Sequence, residues 1–177
     1  NIAKKNNVKT SVITFKEHPI SVLTNNKIEQ ILTIEERINL FKKIGIDNLI
    51  LLDFEEILSI KAEDYIKDIL IKYFSPIAIT TGFNHNFGFN KEGNTKLLRE
   101  KSNEFGYQYF EIPPFVVNSN IVSCSVIRNF LQLGNFHDAN KLLGYNFFKD
   151  NLAEFIENET KILYNHPIEL IEGAEET

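Results

Sequence analysis

The sequence predicts an α/β fold in which a parallel sheet carries helices on both of its faces. Short apolar segments alternate along the chain with segments of helical periodicity, which is the order of strands joined by crossover helices. The predicted strands are apolar throughout, as in a sheet that is covered on both sides. Polar motifs follow several of these strands, and ligands bind at the carboxyl ends of strands in sheets of this kind.

The predicted elements follow one another regularly. The predicted strands are residues 8–15, 46–52, 77–81 and 107–112. The predicted helices are residues 34–44, 62–73, 95–105, 124–133 and 137–143. Residues 1–7 are typical of the last turn of a helix and a loop.

Capping residues set the ends of these helices. Thr33 followed by Glu36 is a capping box, in which each side chain bonds the backbone N–H of the other residue. Asn94 is a second N-cap candidate, because a short polar side chain accepts from free N–H groups of the first turn. Gly45 and Gly106 stand where a C-terminal glycine is expected.

A chain of 177 residues is long enough for one domain with an appendage. We predict that residues 1–146 form that domain. Residues 147–177 are a tail of unknown structure, in which apolar side chains are scattered among acidic ones. The tail is compatible with a helix packed on the domain, with a fragment of a second domain, or with partial disorder.

Charge and composition exclude some classes of protein. The net charge is −5 and no cluster of Lys and Arg is present, which argues against a nucleic-acid-binding surface. No apolar run reaches the roughly 20 residues that a transmembrane helix needs. The single cysteine suits a reducing compartment. We therefore expect a cytoplasmic protein without nucleic acid or membrane partners.

Residues 121–130 (IVSCSVIRNF) are the most informative segment. Hydroxyl groups open a helical apolar pattern, and Arg128 follows near the helix start. Free N–H groups and the helix dipole attract anions there, so added hydroxyls and a guanidinium group predict a phosphate site. The plainer alternative is that Ser123 is only a cap and that Arg128 pairs with an acidic neighbour on the surface.

Two further motifs follow predicted strands. Residues 12–19 (VITFKEHP) are a β-branched run that ends in a His-Pro turn, and residues 82–93 (GFNHNFGFNKEG) form a glycine-rich loop. The helix start at Ser123 follows the fourth predicted strand. Because the carboxyl ends of parallel strands meet at one edge of a sheet, we expect the three motifs to converge on one crevice.

In chain order, the three motifs resemble the strand-exit T-F-x-P-H-P, the G-x-[DN]-F-x-F-G-x-x-x-x-G loop and the I-S-S-T-x-I-R helix start of prokaryotic FAD synthetases. These are the FMN adenylyltransferase modules of bifunctional riboflavin kinase/FAD synthetases. The resemblance runs from about Ile2 to Tyr145 and implies a Rossmann-like nucleotidyltransferase domain. It implies transfer of AMP from ATP, with Mg²⁺, to FMN, giving FAD and pyrophosphate. In relatives a riboflavin kinase domain is fused to this module, but its motif is not found here.

The resemblance also assigns residues to roles. The phosphates of ATP would be held by Ser123, Cys124, Ser125 and Arg128, of which Arg128 and Ser125 act in catalysis. The flavin would be bound by His18, Pro19, Asn84 and Phe87. No protein metal site is implied, and no His, Cys or acidic cluster has the spacing of metal ligands. For Phe87 the plainer alternative is a core aromatic residue.

Several residues depart from the family pattern. They are Glu17, Cys124, His85 and Asn86, which replace Pro, Ser, Phe and Arg, together with Val126. The thiol of Cys124 is a weaker hydrogen-bond donor than a hydroxyl group. His137 and His166 match no motif. Two alternatives stay open. One is another adenylyl- or cytidylyltransferase of the same superfamily, because the helix-start motif recurs in several of them, and the other is a non-catalytic flavin- or nucleotide-binding remnant, which the departures favour.

One family element has no counterpart in the chain. Relatives begin with a strand and an H-x-G-H loop whose histidines contact the ATP phosphates, and no H-x-G-H occurs here. The chain also contains no Met. We therefore expect that the sequence is N-terminally incomplete, and that a strand upstream of Asn1 lies beside residues 8–15.

Overall fold

The computed structural model describes residues 2–24, 28, 30–145 and 147, and the backbone of residues 161–164. Helices alternate with strands over most of this range. The helices are α1 (Ile2–Asn6), α2 (Pro19–Thr24), α3 (Ile34–Lys43), α4 (Phe54–Ile57), α5 (Ala62–Asp64), α6 (Lys72–Phe74), α7 (Thr95–Phe105), α8 (Cys124–Gln132) and α9 (Phe136–Leu143). The strands are β1 (Ser11–Phe15), β2 (Asn48–Leu52), β3 (Ala78–Gly82), β4 (Asn86–Phe87), β5 (Gly93–Asn94), β6 (Gln108–Ile112), β7 (Val116–Val117), β8 (Asn120–Ile121) and β9 (Lys161–Tyr164).

The longer strands pair in parallel. One sheet has the order β1-β2-β9, and β3 pairs in parallel with β6 in another. Parallel neighbours require crossover connections, which α3 and α7 supply here. The predicted α/β class with parallel strands is therefore confirmed. Strand β9 falls in the tail for which the sequence predicted no particular structure.

The β2 strand is the most buried segment. Four of its residues are each at most 2% exposed, so both faces of the strand are covered; they are Leu49, Ile50, Leu51 and Leu52. On one face Leu49 and Leu51 pack with Ile38 of α3. The flanking side chains that join this first core are Val12, Ile34 and Phe41. The predicted apolar strand at 46–52 is thus a central strand, shortened at its start.

The β1 strand differs from its prediction. The predicted strand at 8–15 was expected to be buried on both faces, but Val8 is outside β1 and 41% exposed, and residues 12–15 are only half-buried. The physical reason is that β1 pairs only with β2 among the described residues, whereas β2 has a strand on each side. One edge of β1 therefore has no neighbouring strand in this range. The strand expected upstream of Asn1 lies outside the chain and stays a prediction.

The α3 helix begins and ends where the sequence predicts. Thr33 Oγ1 accepts a hydrogen bond from Glu36 N at 3.2 Å, and Glu36 Oε2 accepts one from Thr33 N at 2.7 Å. Gly45 follows the helix with φ +79°, a conformation that glycine adopts without the steric cost of a Cβ atom. Both ends of α3 are therefore fixed by local sequence.

A second core lies between the third predicted strand and its helices. It contains Ile66, Leu98 and Tyr107, which are each at most 4% exposed. The Tyr107 hydroxyl donates to Leu98 O at 2.6 Å. The predicted helix at 62–73 is present as α5, a π-helical turn at Tyr65–Ile71, and α6. The sequence pattern did not indicate the π-helical turn.

A short hairpin precedes the last two helices. Strands β7 and β8 pair antiparallel between β6 and α8. Ser123 therefore follows this hairpin, whereas the sequence predicted that it follows the fourth long strand directly. The α8 and α9 helices pack on each other. Gly134 and Gly144 follow them with positive φ values of 70° and 75°, which agrees with the predicted helix ends.

Candidate functional site

The start of α8 presents two hydroxyl groups and a thiol. Ser123 is the N-cap, because its Oγ accepts from Val126 N at 3.4 Å. The same Oγ lies 3.1 Å from Ser125 Oγ, and Cys124 is exposed. Ser123 therefore does act as a cap, but its contact with Ser125 also groups two hydroxyls at a helix end that favours anions.

Arg128 lies one turn further along α8 and is half-buried. Its Nε atom is buried without a hydrogen-bond partner among the described residues. The ion pairs formed within the described part of the chain involve other cations. The surface ion pair considered as the plainer alternative for Arg128 is thus not observed there. A guanidinium group without an acidic partner in this range is well suited to bind an anion.

A cavity of about 200 Å³ lies beside Arg128. It is lined by Gln30, Ile31, Arg128, Leu131, Gln132, Phe136 and Phe147. Typical small-molecule pockets measure about 300–1,000 Å³, so this cavity alone has room for only part of a nucleotide. Its lining combines an apolar wall with the guanidinium group and two amide side chains.

His18 ends the turn after β1 and Pro19 is the first residue of α2. His18 Nδ1 accepts from Ile20 N at 3.2 Å, so neutral His18 carries its proton on Nε2. Burial lowers the pKa of His18, and the positive charges of Arg128 and Arg37 lower it further. His18 and Arg128, which the sequence assigned to flavin and phosphate, are therefore close enough to interact electrostatically.

Arg37 is a residue of this region that the sequence analysis did not select. It projects from α3 towards the end of β1, where Nη1 donates to Phe15 O at 3.1 Å and Nη2 donates to Lys16 O at 3.2 Å. It also contacts Gln30 Oε1 at 3.4 Å, and Gln30 lines the cavity beside Arg128. No local pattern marked Arg37, because its backbone partners are more than 20 positions away in the sequence.

The glycine-rich loop contains the two other predicted flavin residues. Asn84 is exposed in the turn after β3, and its carbonyl oxygen accepts from Asn86 Nδ2 at 2.9 Å. Phe87 is half-buried against the second core, 5.6 Å from the Tyr65 ring. His85 is exposed and stacks on Phe87 with 5.6 Å between the ring centroids, and partial desolvation of its imidazole lowers the pKa of His85. Phe87 thus packs as a core aromatic residue, while Asn84 faces solvent.

The base of this loop is fastened to the start of α5. Phe89 N donates to Ile60 O at 2.7 Å, and Ala62 N donates to Glu92 Oε1 at 2.8 Å. A Cβ atom added to Gly88 would lie 2.7 Å from Ala62 Cα, and one added to Gly93 would lie 2.7 Å from Ala62 Cβ. Contacts this short require glycine at both positions.

The structure thus brings together some predicted site residues. His18 and Arg128 interact, and Ser123 and Ser125 are in contact at the start of the helix that carries Arg128. Asn84 and Phe87 belong to the β3–β6 part of the fold, and neither lines the cavity beside Arg128. Their role with flavin stays a prediction. In the described ranges, no group of three or more His, Cys, Asp or Glu side chains is placed to hold a metal ion.

Comparison with known proteins identifies the family. The sequence model of the family described as FAD synthetase matches residues 1–126. A protein of Buchnera aphidicola subsp. Schizaphis graminum named bifunctional riboflavin kinase/FMN adenylyltransferase is 33% identical over 149 residues, which cover 82% of this chain and 48% of that protein. A protein of the same name from Escherichia coli K12 is 25% identical, with 81% and 47% covered. A Listeria monocytogenes protein named FAD synthetase is 26% identical, with 85% and 62% covered.

A solved structure has a similar fold. The crystal structure titled macrolide-efflux protein from Streptococcus pneumoniae superposes with a TM-score of 0.70 at 29% identity, covering 81% of this chain and 47% of that one. The chain spans about half the length of most of these relatives. Within the described residues, no helix is long and apolar enough to cross a membrane. Because the family model matches most of its length, the chain belongs to the FAD synthetase family.

Proposed function

We propose that the protein transfers AMP from ATP to FMN, giving FAD and pyrophosphate. Family membership supports this activity. The structural observation that carries it is the position of Arg128, which has no acidic partner among the described residues and lies on the same helix as the Ser123–Ser125 hydroxyl pair. The positive charge of Arg128 also lowers the pKa of His18, in the turn after β1. A strand exit and a helix start that together offer cationic and hydroxyl groups suit phosphate chemistry at the edge of a parallel sheet.

The reaction needs no covalent intermediate with the protein. An oxygen of the FMN phosphate bonds to the α-phosphorus of ATP, and the bond from that phosphorus to the oxygen bridging to the β-phosphate breaks. The electron pair leaves with pyrophosphate. We assign Ser123, Cys124, Ser125 and Arg128 to the β- and γ-phosphates. Arg128 would neutralise the negative charge that grows on the leaving pyrophosphate, and Ser125 would donate a hydrogen bond to one of its oxygens.

On the flavin side we assign His18, Pro19, Asn84 and Phe87. The neutral imidazole of His18 offers an Nε2–H donor, since its Nδ1 is used by the backbone of α2. The Asn84 side chain is exposed, so its amide is accessible to a ring edge. Phe87 would act mainly by shaping the loop, because Tyr65 and His85 pack against its ring.

We propose that ATP enters as its Mg²⁺ complex. Mg²⁺ prefers oxygen ligands and often keeps phosphates and water as most of its shell, which fits a described region without a cluster of metal-ligating side chains. We place this domain at residues 1–146 and the reaction in the cytoplasm, where an exposed Cys124 stays reduced. The chain corresponds to the adenylyltransferase part of its bifunctional relatives, and a fused riboflavin kinase domain is the partner that their names suggest.

The test is formation of FAD from ATP, FMN and MgCl2, followed by chromatography with fluorescence detection. We expect FAD and pyrophosphate to appear in equal amounts, and EDTA to stop the reaction. Turnover with a different phosphate ester but not with FMN would indicate another nucleotidyltransferase. Binding of both FMN and ATP without any turnover would indicate the non-catalytic alternative. The observation that favours this alternative is that Cys124 has an exposed thiol where the family has a hydroxyl group.

A further inference from the structure

The guanidinium group of Arg37 joins two elements that are distant in sequence. Arg37 lies in the first turn of α3, and its two terminal nitrogens donate to consecutive carbonyl groups, those of Phe15 and Lys16. A weaker contact of 3.4 Å joins Nη1 to Thr14 Oγ1. The planar fork of arginine suits two acceptors at fixed spacing, whereas the single ammonium group of lysine does not.

These carbonyl groups mark the end of β1. Lys16 N still donates to Leu52 O at 3.1 Å, which continues the pairing with β2 by one residue. After Lys16 the backbone leaves the sheet, and α2 begins at Pro19, directly after His18. Arg37 therefore contacts the backbone at the last point where the sheet fixes its path.

We infer that Arg37 is a positioning residue, which fastens the end of β1 to α3 and so fixes where the turn at residues 16–19 presents His18. The inference rests on the proposed function, in which that turn contacts the flavin substrate. Arg37 itself would not touch substrate, because its terminal nitrogens are engaged with the protein backbone and with Gln30.

The charges around His18 make this role measurable. Arg128 from α8 and Arg37 from α3 both lower the pKa of His18. The α4 helix packs against α2 and carries Glu55 and Glu56, which are both exposed. Removing the positive charge of Arg37 should therefore raise the pKa of His18, and loosening the turn should raise it as well, because burial of the imidazole is the larger cause of the lowered pKa.

Two variants distinguish the two-pronged hydrogen bonding of Arg37 from its positive charge. Arg37→Gln removes both, and Arg37→Lys keeps the charge but loses the two-pronged contact. Lys43→Gln is the matched control, since it removes one positive charge from an exposed position on the same helix. Three quantities are measured on each protein: the His18 pKa by NMR with selectively labelled histidine, amide exchange of residues 16–18 and 20, and the dissociation constant for FMN by flavin fluorescence.

Both Arg37 variants should speed amide exchange in the turn and weaken FMN binding roughly tenfold, as expected when a substrate-positioning contact is lost. Both variants should raise the His18 pKa, Arg37→Gln by more because it also removes a positive charge, and Lys43→Gln should match the wild type. The inference is overturned if exchange and FMN affinity in Arg37→Lys equal those of Lys43→Gln, a comparison that stands even where Arg37→Gln does not fold. If the wild type binds no FMN the proposed function fails, but the His18 pKa and the exchange data still decide whether Arg37 positions the turn.

Discussion

Replacement of Arg128 by alanine tests the phosphate site most directly. The Nε atom of Arg128 is buried without a partner in the described part of the chain, so a bound phosphate would supply charge-assisted hydrogen bonds that this part of the chain does not. Such bonds contribute about 1.5–3 kcal/mol, and every 1.4 kcal/mol is tenfold in affinity. Arg128→Ala should therefore weaken ATP binding roughly 12- to 140-fold. The melting temperature should change little, because no described ion pair is lost.

The assay is titration of the folded proteins with ATP by calorimetry in the presence of MgCl2. The control is Arg99→Ala, which removes an equal charge from an arginine that pairs with Glu111 at 2.8 Å and lies on α7. Arg99→Ala should bind ATP like the wild type. If Arg128→Ala and Arg99→Ala bind ATP equally well, Arg128 does not hold phosphate. A large loss of thermal stability in Arg128→Ala would show instead that the residue supports the fold.

Three other changes test the structure. The pKa of folded His18 lies below the ordinary 6.5, so the unfolded chain binds the proton more readily, and the free energy of unfolding should fall as pH decreases through 6.5 towards the folded pKa. His18→Gln should reduce that slope in urea denaturation series; an unchanged slope contradicts the assignment. Gly88→Ala should destabilise by about 2–6 kcal/mol, because its backbone (φ +75°, ψ 170°) lies in a region almost restricted to glycine, which costs about 1–3 kcal/mol, and overpacking against Ala62 adds a similar amount. Gly106→Ala, in the left-handed region (φ +74°, ψ 20°) with open space, should cost only about 1–2 kcal/mol, and equal losses would contradict both the backbone strain and the close contact at Gly88. Thr33→Ala should cost about 1 kcal/mol in the same assay through loss of the α3 cap, and a neutral result would mean that the cap is dispensable.

Features set by neighbouring residues were predictable from the sequence. The capping box of Thr33 with Glu36, the cap at Asn94 and the ends at Gly106 and Gly144 all occur as predicted, because each depends on hydrogen bonds or backbone angles within a few residues. The parallel class was predictable for a related reason. Apolar runs that alternate with helical periodicity leave few other ways to cover both faces of a sheet.

Features set by distant residues were not predictable. The burial of β1 depends on which strands flank it, and an apolar pattern cannot distinguish one neighbour from two. The π-helical turn in Tyr65–Ile71 has no local signal, since its residues suit an ordinary amphipathic helix. The β7–β8 hairpin did have a weak local signal, because the dipeptide Asn118-Ser119 follows an apolar pair and asparagine tolerates the positive φ that both residues adopt in this two-residue turn.

In the candidate site, too, contacts between neighbouring residues were predictable from the sequence and contacts between distant residues were not. Ser123, Ser125 and Arg128 could be grouped from the sequence because they lie within one helix start, and their role with phosphate stays a prediction. The environment of Phe87 and the role of Arg37 depend on Tyr65 and on the end of β1, which are remote in sequence. Family resemblance supplied residue types for the site, but only the structure shows which of them pack into the core and which remain accessible.

The close packing of Ala62 against Gly88 and Gly93 limits how this loop can change during evolution. A Cβ atom at Gly88 would meet the Ala62 backbone, which no smaller residue at position 62 can relieve, and one at Gly93 would meet both Ala62 Cβ and the Phe87 ring. Substitutions at the base are therefore restricted. The exposed tip at residues 83–86 is not bound by this constraint, so its side chains can change while the base keeps the loop in place. The departures at His85 and Asn86 fall in this permissive part.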